Sequence, residues 1–258
     1  YISLLESRAD NTVSEFEYSD EDEEPSLAYK LDIKVSHLDI GRYLEDLRFD
    51  MNIVERLREQ AHIILDNGRD KKLAELKEQV RSKIQTTPYN KGNRKILIFS
   101  AFADTAMYLY DNLANELLEQ GYYTAMVSGS YKPMTTLPAH LEKRMDYNKV
   151  LTYFSPISKG GDISEENQIT VLIGTDCISE GQNLQDCDTV INYDIQWNPV
   201  VLVQRFGRID RIGSRNSQIK LINFFPAMEL NEYLGLETRV KNKMIQSNVV
   251  STGADDLL

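Results

Sequence analysis

The chain has 258 residues, and 41% of them are hydrophobic, which is enough to bury a sizeable core in one large domain or in one domain with an extension. Its formal net charge of −11 argues against a protein that coats nucleic acid over its whole surface. No apolar run reaches the roughly 18 residues that would indicate a membrane span, so we expect no membrane partner.

Cysteine usage and the first residues predict where the protein resides. Cys177 and Cys187 do not form a Cys-x-x-Cys pair, which favours a reducing, cytoplasmic setting without a disulfide or zinc framework. The three histidines are scattered, so we predict no metal site. Tyr1 is followed by neither a basic region nor an apolar core. We therefore find no signal peptide and expect a piece of a longer protein.

The first region in chain order, residues 1–30, contains nine acidic and two basic residues. A charge run of this kind is typical of a solvated, flexible segment. The alternative is an acidic motif of a nucleotide site. Such a motif follows an apolar strand, and none precedes Asp20. We therefore predict a flexible acidic segment.

Residues 31–90 are predicted to form a helical extension. Apolar residues recur every three or four positions, and the pattern breaks at Asn67-Gly68 before a second helix at 70–84. The repeat is too short for a coiled coil, so we expect both helices to pack on the next domain. Residues 86–93, which include a proline and a glycine, are predicted to be the linker. The apolar positions are Ile40, Tyr43, Leu44, Leu47, Met51, Val54 and Leu57, then Leu73, Leu76, Val80 and Ile84.

Residues 91–226 alternate between strand and helix patterns. This alternation predicts an α/β domain with a mostly parallel sheet, helices on both faces and ligands at the carboxyl ends of the strands. The tail, 227–258, begins as a helix and then frays. The predicted strands are 95–100, 122–127, 169–173, 189–193 and 219–224, the predicted helices are 105–120 and 137–154, and the predicted loop is 158–167.

A further helix is predicted between Asn198 and Gly213. Asn198 is a good N-cap, and Gly213 suits a left-handed residue after a helix. Gln204, Arg208 and Arg211 are spaced by four and three residues and would share one helix face. Two guanidiniums beside an amide suit the stabilisation of charge on a phosphoryl group. The alternative is that both arginines are ordinary surface charges that pair weakly with nearby aspartates.

Three sequence motifs resemble those of one family. The stretch from Thr175 to Leu184 resembles motif V of superfamily 2 helicase-like ATPases, and QRFGRIDR matches the Gln-x-x-Gly-Arg-x-x-Arg pattern of motif VI. Asp194, followed by Trp197-Asn198-Pro199, resembles a signature of the Swi/Snf-type branch. The motifs are most similar to the bacterial type that includes the RNA-polymerase-recycling ATPase. The resemblance runs from Lys91 to the carboxyl terminus, and it implies the second, RecA-like, three-layer lobe of a two-lobe motor.

This resemblance implies roles for individual residues. Arg208 and Arg211 would act as catalytic arginine fingers, while Gln204, Gly181 and Asn183 would bind ATP, with Asn183 at the ribose. No phosphate contact is carried over to Glu180, because the RNA-helicase branch has arginine at that position.

The resemblance also implies a nucleic-acid contact at three strand ends. Ser100, Gly129 and Thr175 would bind the nucleic-acid backbone through hydroxyl and N–H groups. The alternative is plain turn chemistry, which also places serine and glycine after strands. Trp197 would either stack on a base or anchor the packing of the helix that follows.

An absent motif defines the predicted function. The sequence has no Gly-x-x-x-x-Gly-Lys-Ser/Thr, because Lys159 precedes the two glycines that follow it. ATP and Mg²⁺ would therefore be held mainly by a preceding lobe, and the chain alone should be inactive. We predict the second lobe of an ATP-dependent Swi/Snf-type DNA translocase or helicase. Its partners would be the amino-terminal lobe, duplex DNA and a protein target.

Two other functions would fit the same fold. One is a non-catalytic module that binds nucleic acid or protein, with the acidic segment as a docking tail. The other is a doubly wound metabolic enzyme, for which we find neither a cofactor fingerprint nor a catalytic His/Asp pair.

Overall fold

A 27-residue helix, α1 (Ile40–Asp66), is the first element of the chain that the structure describes. The computed structural model describes residues 39–66, 68–142, 145–178, 181–195, 199–211 and 213–225. The chain divides into two compact units, residues 1–70 and 71–258. The predicted acidic segment and the predicted carboxyl-terminal tail lie outside the described residues.

Helix α1 begins where the sequence predicts a helix. The Asp39 carboxylate accepts a hydrogen bond from the Arg42 backbone N–H at 3.2 Å, as an N-cap residue does. Leu44 is buried, whereas Phe49 and Val54 are more than half exposed. The predicted packing of this helix on the next domain stays a prediction. No helix in the described part of the chain combines the length and the apolar character that a membrane crossing needs.

The second unit contains a six-stranded sheet in the order β3-β2-β4-β1-β5-β6. All neighbouring strands are parallel except β3, which is antiparallel to β2. The alternating strand and helix pattern therefore predicted the fold class correctly. The strands are β1 (Ile96–Phe99), β2 (Tyr123–Val127), β3 (Met134–Thr135), β4 (Ile169–Gly174), β5 (Thr189–Asn192) and β6 (Lys220–Asn223).

Helices cover both faces of the sheet. On β1, Ile96 and Ile98 point to one face and Leu97 and Phe99 to the other, as the period of two in a strand requires. Apolar residues therefore run without interruption along this central strand. The first face packs against α2 (Lys71–Thr86) and α3 (Ala103–Glu119), and the second packs against α4 (Tyr147–Phe154) and the connection from β4 to β5.

A buried ion pair fastens α2 to the sheet. Lys83 Nζ lies 2.7 Å from Asp188 Oδ1, next to the start of β5, and the two side chains are 4% and 0% exposed. Asn90 also donates a hydrogen bond to Asp188 at 2.8 Å. Helix α2 thus belongs to the unit that contains the sheet, whereas the sequence places the start of the lobe at residue 91.

The helix predicted at 137–154 is wrong in its first half. It is confined to α4, because Asp146 caps the helix at Tyr147 by accepting a hydrogen bond from the Lys149 N–H at 2.9 Å. Pro138 disfavours a helical conformation at the residue before it. The predicted loop at 158–167 overlaps a short helix, α5 (Pro156–Lys159), which ends at the left-handed Gly160.

The helix predicted up to Gly213 is also too long. It is α6 (Pro199–Phe206), and a series of turns follows it. Arg208 and Ile209 donate to carbonyls three residues back, a tighter pattern than that of the α-helix, and Ile209 is buried in the core. Arg208 and Arg211 therefore lie beyond the helix, and the predicted face shared with Gln204 does not exist.

Candidate functional site

Two of the residues predicted to bind nucleic acid meet at one edge of the sheet. Gly129 and Thr175 follow β2 and β4, and the Thr175 N–H donates to the Val127 carbonyl at 3.3 Å. Gly129 is exposed, and a Cβ built on it would meet no atom within 4 Å. Because the carboxyl ends of parallel strands meet at one edge, the parallel-sheet pattern could predict this meeting. The depression there is lined by Ala101, Ala103, Gly129, Ser130, Thr175, Asp176 and Cys177.

The third of these residues, Ser100, is placed differently. It is fully buried, and its hydroxyl donates a hydrogen bond to Asp194 Oδ2 at 2.6 Å. The other oxygen of the same carboxylate accepts a hydrogen bond from Lys72 Nζ at 3.0 Å. The Ser100 hydroxyl is therefore engaged in a hydrogen bond within the protein. Ser100 directly precedes Ala101, which lines the depression.

Arg205 is a buried residue that the sequence reasoning missed. Its side chain is fully buried, although it is charged. Nε donates to Asp176 Oδ1 at 2.8 Å and Nη1 donates to Asn192 Oδ1 at 2.9 Å. Nη2 also lies 2.8 Å from Asp176 Oδ1 but outside hydrogen-bonding geometry. The guanidinium carbon is 4.8 Å from the centre of the Phe99 ring.

The sequence does contain a signal for Arg205. Leu202 and Ile209 are both buried, and Arg205 lies three residues after the first and four before the second. This spacing puts it on the core-facing side of the chain, where an arginine needs polar partners. Arg205 thus joins α6 to the ends of β4 and β5.

The residues predicted to bind nucleotide lie on two connections that touch each other. Gly181 and Asn183 lie between β4 and β5, and the arginines lie between β5 and β6. The Leu184 N–H donates to the Arg208 carbonyl at 3.0 Å, which joins the two connections. Gly181 is exposed with φ of 69°, a conformation that favours glycine. Motif V and motif VI are therefore in direct contact.

Each of the two predicted arginines bonds to a backbone carbonyl four residues earlier in the chain. Arg208 Nε donates to the Gln204 carbonyl and Arg211 Nε donates to the Gly207 carbonyl, both at 3.2 Å. Arg208 is half-buried, while Arg211 and Gln204 are exposed. The structure brings these three residues close together along the chain, although by turns rather than by a shared helix face.

Asn183, which was predicted to contact the ribose, has a buried hydrogen-bond acceptor. Asn183 Oδ1 is shielded from solvent and has no hydrogen-bond partner among the described residues. A buried acceptor of this kind is unfavourable unless a donor satisfies it, and a ribose hydroxyl is such a donor. No cluster of three or more His, Cys, Asp or Glu side chains occurs within the described ranges.

The charges of Arg208 and Arg211 influence the pKa values of two other groups. Burial raises the pKa of Tyr147 to about 12, and its hydroxyl donates to the Cys177 carbonyl at 3.0 Å, while the charge of Arg208 works against this rise. Burial lowers the pKa of Lys159, and the positive charge of Arg211 lowers it further. The charge of Arg211 thus disfavours the charged form of Lys159, and an anion bound at Lys159 would favour it.

Comparison with known proteins identifies the family. Residues 71–213, more than half of the chain, match the family described as helicase conserved C-terminal domain. The chain therefore belongs to that family, and it is the C-terminal lobe of a superfamily 2 helicase-like ATPase.

Individual relatives share parts of the chain. The chain is 56% identical over 46 residues to the uncharacterized ATP-dependent helicase YqhH of Bacillus subtilis, covering 18% of this chain and 8% of that protein. It is 32% identical over 124 residues to the RNA polymerase-associated protein RapA of Vibrio atlanticus, covering 48% of this chain and 10% of that protein. A solved structure of the C-terminal part of the Fun30 ATPase domain aligns with a TM-score of 0.46 and 16% identity over 78% of this chain and 58% of that one. The chain thus spans about a tenth or less of the length of YqhH and RapA.

Proposed function

We propose that this chain is the second motor lobe of an ATP-dependent, Swi/Snf-type DNA translocase or helicase. The observation that supports this most directly is the hydrogen bond between the Leu184 N–H and the Arg208 carbonyl. It joins the loop that contains Gly181 and Asn183 to the turn that contains Arg208 and Arg211. A nucleotide that contacts one connection is therefore within reach of the other.

ATP with Mg²⁺ is the cofactor in this proposal. The phosphate cradle, its lysine and the carboxylates that bind Mg²⁺ belong to another lobe, because this chain has no Gly-x-x-x-x-Gly-Lys-Ser/Thr. In this proposal Asn183 Oδ1 would accept a hydrogen bond from the ribose, and the exposed Gln204 side chain would contact the nucleotide. Arg208 and Arg211 stabilise the negative charge that develops on the transferred phosphoryl group.

Duplex DNA is the proposed substrate for movement. The depression at the carboxyl ends of the strands holds the DNA backbone through Gly129 and Thr175, which contact phosphates without reading sequence. Ser100 stabilises this edge of the sheet, because its buried hydroxyl donates a hydrogen bond to Asp194. Opening and closing of the two lobes then steps the pair along the duplex. The relative RapA is an RNA polymerase-associated protein, which suggests a protein target in addition. We propose that the protein acts in the bacterial cytoplasm.

The test uses the full-length protein that contains this chain. Arg208→Ala and Arg211→Ala should each lower ATP turnover by about 10³- to 10⁵-fold, as expected for arginine fingers, and leave ATP affinity nearly unchanged. Turnover is measured by phosphate release and affinity by equilibrium binding. Arg215→Ala is the matched control, because Arg215 is an exposed arginine four residues beyond Arg211. Unchanged turnover after loss of both arginines would refute the proposal and favour a non-catalytic binding module.

A further inference from the structure

Lys159 is held next to the predicted nucleotide-binding loop by a fixed support. The Asp186 carboxylate accepts hydrogen bonds from the Ile157 and Ser158 N–H groups at 2.8 and 2.9 Å, and from the Ser158 hydroxyl. These bonds fasten the start of α5 to the connection between β4 and β5. Gly160, with φ of 68°, then turns the chain away directly after Lys159. The lysine therefore stands at the end of an anchored turn.

The amine of Lys159 reaches the middle of that loop. Nζ donates to Gln182 Oε1 at 2.5 Å. Gln182 lies between Gly181 and Asn183, the two residues predicted to contact the ribose. An ammonium group has three N–H donors, and a glutamine oxygen uses only one of them. Among the described residues, no carboxylate lies within ion-pair distance of Lys159.

Lys159 thus carries a positive charge that no acidic side chain compensates in the described part of the chain. Lys159 is half-buried, and both its burial and the charge of Arg211 disfavour its charged form. An anion bound at the Lys159 amine, beside Gln182, would reduce this penalty, because it would compensate the charge. Asn183 Oδ1 in the same loop has no hydrogen-bond partner among the described residues, and it is a second group that a ligand would satisfy.

We propose that Lys159 is a third cation of the nucleotide site and donates a hydrogen bond to a phosphate oxygen of ATP, beside Arg208 and Arg211. This inference rests on the proposed function of the lobe. A phosphate of DNA offers the same chemistry, but Lys159 bonds to the Gly181–Asn183 loop, whereas Gly129 and Thr175 line a depression that does not include it. The geometry therefore points to the nucleotide.

The experiment compares lysine variants of the full-length protein at saturating duplex DNA. Lys159→Ala should raise KM for ATP and Kd for ADP by about tenfold or more, the usual effect of losing a hydrogen bond to a charged group. Affinity for adenosine, which has no phosphate, and affinity for DNA should not change. Lys159→Arg should retain most of the ATP affinity. Lys77→Ala is the control, because it removes the same charge from the opposite face of the sheet, where Lys77 pairs with Glu116.

A double-mutant cycle separates direct contact from support of the loop. If Lys159 acts only by holding Gln182, then Lys159→Ala has no further effect on KM in a Gln182→Ala background. Direct contact with phosphate predicts that the full loss persists in that background. Equal losses for ADP and adenosine would also overturn the proposal, as would weakened DNA affinity with unchanged KM for ATP.

Arg211→Ala in the same assay distinguishes this inference from the proposed function. If Arg211→Ala abolishes turnover and Lys159→Ala leaves KM unchanged, only the role of Lys159 is wrong. If neither variant affects ATP kinetics, the lobe does not contribute to the nucleotide site, and both proposals fail.

Discussion

Arg205 shows how one side chain organises the end of the sheet. Its guanidinium is fully buried, yet it bonds to the Asp176 carboxylate, to the Asn192 amide and, at 3.4 Å, to the Asp194 carbonyl. These partners come from the connection after β4 and from the end of β5. A buried charge is tolerated when it is paired and hydrogen-bonded in this way. Arg205 therefore fixes the position of α6, from which the chain continues to Arg208 and Arg211.

Arg205→Met should destabilise the chain by about 3 kcal/mol. The substitution removes the guanidinium that donates to the Asp176 carboxylate and to the Asn192 amide oxygen, and removal of one partner of a buried pair is strongly destabilising. The value is at the low end of the usual range because the Asp176 side chain is 34% exposed. Urea unfolding of the 258-residue chain measures the change. Arg215→Met is the control, since Arg215 is exposed and should change stability little; equal stability of both variants would contradict the role given to Arg205.

The sequence predicted some residues of the site and not others, for physical reasons. Gly129 and Thr175 could be placed together because both follow strands of a parallel sheet, and such ends meet by rule. Arg205 could not be placed so simply, because its partners Asp176 and Asn192 lie far from it in the chain. The contact between Lys159 and Gln182 could not be predicted for the same reason, since the two residues are far apart in the chain and only the fold brings them together.

At the scale of elements, the end of β4 shows how tightly the sheet fits its following turn. A Cβ on Gly174 would overlap the Ile178 side chain, with Cγ1 at 2.7 Å, and would lie 3.3 Å from the Val127 carbonyl oxygen. Ile178 is fully buried, so it cannot rotate away without disturbing the core. The turn that presents Thr175 thus depends on a position without a side chain.

Gly174→Ala should therefore destabilise the chain by about 1–3 kcal/mol, the usual range for overpacking. Gly129→Ala is the matched variant, because no atom lies within 4 Å of its Cβ. It should leave stability unchanged but weaken DNA binding by the full-length protein if the DNA backbone approaches closely there. Urea unfolding and a DNA titration test the two effects. Destabilisation by Gly129→Ala equal to that by Gly174→Ala would contradict this reading of the turn.

Lys95, the residue before β1, should make the stability of the chain depend on pH. Burial lowers its pKa to about 8 from an ordinary value of 10.5, although Asp186 works against this shift. Between about pH 8 and 10.5 the unfolded chain keeps a proton on Lys95 that the folded chain has released. The free energy of unfolding therefore rises with pH from about 8 upward. The buried Cys187 has the opposite effect at higher pH, because burial raises its pKa to about 12 from 9.0.

Urea unfolding between pH 7 and 9 should therefore show a steeper rise of stability in the wild-type chain than in Lys95→Met. The comparison within this window isolates the amine, since the thiol contributes mainly above it. Identical pH profiles for the two chains would show that the Lys95 amine keeps its ordinary pKa.

Helix lengths were the least predictable features of the elements. The apolar spacing continues past Phe206 and begins before Tyr147, so periodicity alone predicts longer helices at both places. The actual limits are set by Asp146 as an N-cap and by the burial of Ile209, which pulls the chain into turns. Five strands were predicted within about one residue of their limits, because each is a short apolar run bounded by polar residues. The strand β3 was not predicted, because two residues are too few to show a pattern.

At the scale of the whole molecule, we assign the two proposed ligands, DNA and ATP, to two different surfaces of the lobe. One is the depression at the carboxyl ends of the strands, and the other is formed by the connections from β4 to β5 and from β5 to β6. The second surface supplies cations and an acceptor but lacks the sequence pattern of a phosphate cradle. This division suits a domain that completes an active site rather than one that contains it.

The 258-residue chain alone should therefore hydrolyse ATP no faster than a buffer blank. The reason is that phosphoryl transfer needs the phosphate cradle and the Mg²⁺-binding carboxylates as well as arginines. Phosphate release in the presence of ATP, Mg²⁺ and duplex DNA measures this, with the full-length protein as the positive control. Robust turnover by the pure chain that Arg211→Ala abolishes would show a complete site within it and overturn the two-lobe proposal.

The ion pair between Lys83 and Asp188 has a consequence for exchanging such lobes between proteins. A chimaera joined at residue 91 would import Asp188 without its ammonium partner and leave a buried carboxylate with no compensating positive charge from Lys83. A junction ahead of residue 71 would carry both partners together. Helix α2 must therefore be transferred together with the sheet. A junction placed after this helix would separate the two partners of a buried ion pair.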